Sequence, residues 1–249
     1  MFPYLAGLRF VFFARAQKTW TQFDEIYKNP PVSTEQIIHP EKYFANELPT
    51  ILEFSARKAL PQHTKVYDNV LGEFQTYLML HESLHPEKSA KKTSIDISQA
   101  AAGWGGDRLL AYLDKSGNVL TVHASTWDTD KDAVEFFQAF QAGLKQRYSS
   151  AKVVPCAKKI RTDQTFCLSV PGTRPHRVHL EIRKDRVLYI DGAPETKASP
   201  DSQPVHAIRE ATIESFKRVP FKKALQQAEK RAKARQAAKA KASKRSTTK

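Results

Sequence analysis

Apolar positions along this chain recur first at a helical period and, beyond residue 107, at an alternating one. In "FPYLAGLRFVFFARAQ", Tyr4, Leu5, Leu8, Val11 and Phe12 stand at i, i+1, i+4, i+7 and i+8, which predicts a helix buried along that stripe. "KTWTQFDEIYK" puts Trp20, Phe23, Ile26 and Tyr27 on one face and stops at Asn29-Pro30-Pro31, because proline cannot continue a helix and restricts the residue before it. Ser33 then supplies an N-cap, with Gln36 at the position a capping box requires, and Pro40 is expected to end that short helix. Residues 46–62 show no single period and read as an extended connection. From Val66 onward, Tyr67, Val70, Leu71, Phe74, Tyr77 and Leu78 form one stripe, predicting a helix that runs into His81 and stops at Pro86. A polar linker, "KSAKKTS", separates it from a small helix over Ile95–Ala102, closed by Gly103 where a left-handed C-terminal cap is preferred.

Past Asp107 the pattern changes. "RLLAYLD" and "VLTVHAST", joined by "KSGN", predict a β-hairpin. "DTDKDAVEFFQAFQAGLKQRY" predicts a helix capped by Asp128 or Asp130, with Val134, Phe137, Phe140 and Leu144 on its buried side. Three strands follow, at Thr165–Val170, Arg177–Arg183 and Arg186–Asp191, the last two joined by a turn at Lys184-Asp185. The fold class is α+β: a helical N-terminal part followed by a small antiparallel sheet with packed helices. The expected division is a helical subdomain at 1–103, an α+β subdomain at 104–216 and a basic low-complexity tail at 217–249.

Composition matters mainly through where the charge lies. Of the formal net charge of +14, the segment 217–249 carries +12, with 13 Lys/Arg against Glu229 alone, so the rest of the chain is nearly neutral. Such a tail suits phosphate backbones or another polyanion, and its lack of stacking aromatics beyond Phe221 argues against specific single-strand recognition. No apolar run reaches the ~18 residues of a membrane span. The opening stretch has no positive region before its apolar core and Arg9 interrupts it, so no signal peptide is expected and a cytoplasmic location is the default. Cys156 and Cys167 lie 11 apart beside strands, a spacing that allows a hairpin-closing disulfide in an oxidising compartment.

The sharpest chemical motif is His81-Glu82-Ser83-Leu84-His85. It spells H-E-x-x-H, in which two imidazoles a helical turn apart hold zinc and the glutamate acts as general base. Pro86 follows at once, leaving His85 on a fraying end, and a third ligand would have to come from Glu73, His39, Glu135 or His123. "STEQIIHPEKY" sets Glu35 and His39 at i, i+4, able to line a cleft. "GWGGDR" lacks the Lys-Ser/Thr of a P-loop and reads as a helix cap and tight turn.

At "FPYLAGLRFV", "NPPVSTEQIIHPEKYF", "LGEFQTYLML", "AAAGWGGDRLLAYLD" and "STWDTDKDAVEFFQAF" the chain resembles the C-terminal half of a bacterial and archaeal family of zincin-like neutral zinc metallopeptidases, many of them lipoproteins, over about residues 2–195. The resemblance implies that the family's own H-E-x-x-H helix precedes the segment matching residues 2–11, and that residues 81–85 fall where the family shows no zinc motif. It also implies a chain that is exported or lipid-anchored in its full-length relatives, and a non-catalytic scaffold or remnant here, completing a cleft with a separate catalytic half. Glu35, His39, Trp104, Asp107 and Arg108 are the residues of its motifs that would line such a cleft. No cofactor is then expected in this chain; zinc enters only if His81, Glu82 and His85 work as a hydrolase.

Overall fold

Helices open the chain: α1 (Phe2–Gln17), α2 (Trp20–Phe23), α3 (Glu25–Lys28), α4 (Thr34–Ile38) and α5 (Pro40–Phe44). After β1 (Thr50–Glu53) and β2 (Thr64–Asn69) come α6 (Gly72–Leu84) and α7 (Ile97–Ala101), then β3 (Trp104–Leu113), β4 (Val119–Trp127) and the long α8 (Asp130–Arg147). β5 (Lys152–Val153), β6 (Gln164–Val170), β7 (His176–Arg183), β8 (Arg186–Pro194), α9 (Pro204–Ser215) and β9 (Lys217–Pro220) complete the order. This computed structural model describes residues 2–85, 94–157, 163–197, 200, 203–230 and 233. The fold is α+β.

Seven antiparallel strands form one sheet in the order β2-β3-β4-β8-β7-β6-β5, and β1 pairs with β9 in a separate ribbon. Strand alternation divides the core in two. One face carries Phe166, Leu168, Val178, Leu180, Ile182 and Tyr189 against Phe136, Phe137, Phe140 and Leu144 of α8, with α6 and α7 alongside. The other carries Leu110, Tyr112, Leu120, Val122, Leu188 and Ile190 against Val205 and Ile208 of α9 and Leu52 of β1. Each such side chain contributes roughly 1.5–3 kcal/mol by leaving water.

The hairpin and the three later strands form at the predicted places, β3 starting four residues earlier and the others longer by one to three residues at an end, and Lys184 turns the β7–β8 connection at φ 52°. Gly103 takes φ 74° after α7, the left-handed geometry the sequence led us to expect. The rest of "GWGGDR" is strand rather than turn, with a register shift between Trp104 and Gly106.

Several expectations fail for identifiable reasons. α1 buries Phe10 and Ala14, while Tyr4, Leu5, Leu8, Val11 and Phe12 are exposed. The helix is apolar nearly all round, so periodicity does not choose its inner face; the rings of Tyr43 and Phe44, 5.3 and 6.5 Å from Phe10, do. The second helix is two single turns, of which only Phe23 is buried. Pro40 starts α5 at its first turn, where its missing N–H costs nothing, instead of ending α4. The predicted helix from Val66 is split: Thr64–Asn69 is an exposed edge strand paired to β3, and Gly72, at φ 77°, starts α6. A positive φ cannot be continued through a right-handed helix, so the two halves of the stripe separate there.

Thr129, not Asp128 or Asp130, caps α8, in a reciprocal box with Asp132. The connection over 46–62 contains β1, which finds its partner β9 in the first residues assigned to the tail, with Val219 buried. α9 is not among the elements the pattern predicts. Pro86, most of the polar linker after it and nearly all of 231–249 lie outside the described residues.

Candidate functional site

Asp107 holds the helical end onto the sheet. Its carboxylate, fully buried on β3, accepts from the backbone N–H of Leu71 (2.9 Å) and Gly72 (2.9 Å), from the Trp104 indole (3.0 Å), and lies 3.2 Å from His123 Nε2. α6 has no capping side chain of its own, so Asp107 satisfies its first donors from across the fold and places negative charge at the positive end of the helix dipole. Thr34 of α4 adds a bond to Phe74 N at 3.2 Å. Trp104 and Asp107 are therefore braces, beside a 320 Å³ cavity that they help to line, and Arg108 grips the edge strand through both oxygens of Asp68 at 2.8 and 2.9 Å. That guanidinium holds the Asp68 carboxyl down to about 2.

α6, fixed in this way, forms one wall of a cavity of 630 Å³ between α1, α4 and α7. Phe2, Leu5, Ile37, Ile38, Phe74 and Tyr77 make it largely apolar, and His39 and Glu73 supply its polar floor. His39 Nε2 lies 2.8 Å from Glu73 Oε1, and Glu73 Oε2 is buried with no partner among the described residues. The bond to Glu73 raises His39 above the usual imidazole range despite partial burial. Since the folded state binds that proton more tightly, the stability it contributes is full below the ordinary value near pH 6.5 and is lost as pH rises through the folded value. His176, raised by its bond to Asp191, acts in the same direction. Accordingly, urea midpoints measured from about pH 6 to pH 8 should fall for the wild type and fall less for His39→Gln; parallel curves would show that the dyad contributes nothing.

Glu35 points away from His39, to Lys42. Lys42 Nζ sits 2.7 Å from Glu35 Oε1 and 2.7 Å from Glu47 Oε1, and also donates to Asp128. Burial pushes the Glu35 carboxyl up to about 7 against the pull of Lys42. Glu35, Glu47 and Asp128 are spaced as a cation site, but an ammonium already stands among them.

The zinc motif does not assemble. His81 and His85 have ring centroids 5.0 Å apart, but α6 ends at Leu84 and His85 is an exposed cap. Neither belongs to any group of three possible metal donors among the described residues. His39 and Glu73 are committed to each other, His123 to Asp107, and Glu135 accepts from Gln99, so none of the four third-ligand candidates serves His81. Among the described residues, His81, Glu82 and His85 do not fit the zinc centre of a hydrolase.

The disulfide that the cysteine spacing allowed forms, and beside it stands a buried polar group, His179, Glu181 and Arg209, that sequence reasoning overlooked. Cys156 and Cys167 form a disulfide, Cys167 Sγ lies 3.2 Å from His179 Nδ1, His179 Nε2 lies 3.0 Å from Glu181 Oε2, and Arg209 of α9 donates to that same oxygen. Strand alternation alone assigns His179 and Glu181 to solvent. Burial by α9 overturns that, and no local signal announces it.

The profile of a family described as a domain of unknown function (DUF8575) matches residues 60–202, from just before β2 to beyond β8. No curated protein matches the chain. Among solved structures, the extracellular domain of PknH from Mycobacterium tuberculosis aligns with 64% of this chain and 90% of that one, at 9% identity and a TM-score of 0.38. Among the described residues, no helix is long and apolar enough to cross a membrane.

Proposed function

The chain belongs to the DUF8575 family, a domain of unknown function, and we propose that within it this chain is a non-catalytic docking module whose N-terminal helical face receives a partner polypeptide. One observation carries the reading: α1 turns Tyr4, Leu5, Leu8, Val11 and Phe12 to solvent, with Tyr4 78% and Phe12 67% exposed, directly beside the cavity floored by His39 and Glu73. A contiguous apolar surface of this kind is the usual mark of a protein contact. The resemblance to the C-terminal half of zincin-like peptidases supplies the kind of partner, a polypeptide bearing the H-E-x-x-H helix, against which His39 and Glu73 would complete a cleft.

The test begins with the DNA upstream of the first codon and with neighbouring genes. A segment there encoding H-E-x-x-H, co-expressed with this chain, should co-purify with the wild type and not with Leu8→Asp/Phe12→Asp. That variant should keep its unfolding free energy to within about 0.5 kcal/mol, because both side chains already face water. Co-purification unaffected by the substitutions, or the lack of any such segment, would sink the proposal.

A second reading rests on a separate surface. Residues 221–230 continue as a helix after β9, and Lys222, Phe221 and Leu225 line a 660 Å³ groove with Lys18 and Lys28. This supports attachment of a polyanion without sequence preference. Binding to duplex DNA should weaken steeply as salt rises and vanish in a chain ending at Pro220; no binding by the full chain at low salt overturns it.

A further inference from the structure

Cys167 on β6 and His179 on β7 are direct cross-strand partners, so their side chains leave the sheet on the same face, the one α9 covers. Glu181, two residues on, shares that face. A carboxylate only accepts, so the 3.0 Å contact with Glu181 Oε2 requires the proton on His179 Nε2 and leaves the Nδ1 lone pair facing Cys167 Sγ at 3.2 Å. Arg209 fixes Glu181 in turn. Cys156 Sγ completes the cluster: the two sulfurs and His179 all lie within 4.8 Å of one another.

From this arrangement we propose that Cys156, Cys167 and His179 are the ligands of a zinc site that the disulfide closes and its reduction opens. The donor set, two thiolates and one imidazole with a fourth position left to water, is one that zinc accepts. Tetrahedral bonds of about 2.3 Å to sulfur and 2.0 Å to nitrogen put S and N roughly 3.5 Å apart, within a few tenths of an ångström of the Cys167–His179 distance. Once reduced, the sulfurs must move apart to take up tetrahedral positions, and Cys156 lies half-buried in an irregular stretch that can supply the shift. Behind the ligand stands the carboxylate–histidine pair that orients metal-binding imidazoles elsewhere.

A phosphine reductant gives two electrons to the S–S bond and takes up the oxygen of one water molecule, whose two protons go to the sulfurs, so the disulfide becomes two thiols and the phosphine becomes its oxide. Zinc then displaces both thiol protons to solvent. A hydrolytic reading of Cys167, His179 and Glu181 is weaker, because Cys167 and His179 are buried and line none of the cavities described above.

The experiment uses the full chain with and without a phosphine reductant, removed anaerobically before titration, and Co²⁺ as the probe. Reduced protein should bind one Co²⁺ with a sulfur-to-cobalt charge-transfer band that Zn²⁺ abolishes, and oxidised protein should show no such band. Cys156→Ser, half-buried and expected to fold, should lose the band. His179→Asn should weaken binding at least tenfold, and Glu181→Gln by roughly 10–100-fold while both stay folded by circular dichroism. His81→Ala should change nothing. The proposal is overturned if reduced protein shows no thiolate band, if oxidised protein binds equally well, or if Cys156→Ser retains the site; it is also overturned if binding depends on His81.

Discussion

Asp107→Ala is expected to lower the unfolding free energy by about 3–5 kcal/mol. Four donors or ring contacts converge on that carboxylate: the N–H groups of Leu71 and Gly72, the Trp104 indole and His123 Nε2. Truncation leaves them buried without a partner, each at a cost of about 1–3 kcal/mol, and water entering the space recovers only part. Urea denaturation measures the loss directly. Asp107→Asn should cost roughly half as much, because an amide carbonyl in place of Oδ1 still accepts from Gly72 and Trp104. A loss below about 1 kcal/mol in the alanine variant would show that α6 is held by its apolar face alone.

Arg209→Met is the second large effect, again about 3–5 kcal/mol, on the opposite face of the sheet. Glu181 there loses the guanidinium and keeps the hydrogen bond from His179 Nε2, in a place where Glu181 is only 2% exposed. Burial alone would raise that carboxyl; His179 and Arg209 together hold it below its ordinary value. Removing one partner therefore strands a charge, which costs more than the pair contributes. Pairing Arg209→Met with Glu181→Gln tests the cause, because the double variant removes the stranded charge. It should be more stable than Arg209→Met, and additive losses in the cycle would show that the two residues act separately.

Both predictions rest on contacts that bridge long stretches of chain, and this marks the limit of what local patterns reveal. The alternating runs at Leu109–Leu113, Leu120–Ala124 and Val178–Ile182 are legible because a strand's apolar side chains must share a face, whatever covers it. α8 is legible for the same reason, since Phe137, Phe140 and Leu144 repeat at helical spacing along one side of an 18-residue helix. The candidate site was legible only as residues without partners. His39 and Glu73 were both visible as polar groups near helix ends, but their 2.8 Å contact spans 34 residues. The H-E-x-x-H spelling was visible as well, and three-dimensional context removes its meaning.

The sequence by itself determined the α+β class, five of the seven strands of the sheet (β3, β4, β6, β7 and β8) with its main helix, the left-handed turn at Gly103 and the segregation of positive charge into the last 33 residues. Period, propensity and charge are properties of neighbours in the chain. Only the tertiary structure decided which face of α1 turns inward, that Asp107 rather than a local side chain caps α6, and that the polar face of β7 is buried. Those outcomes depend on partners supplied from far along the chain: Tyr43 and Phe44 under α1, β3 under α6, and α9 with Arg209 over His179 and Glu181. No window of ten or twenty residues contains both members of those pairs, and the free energy of each is realised only when they meet.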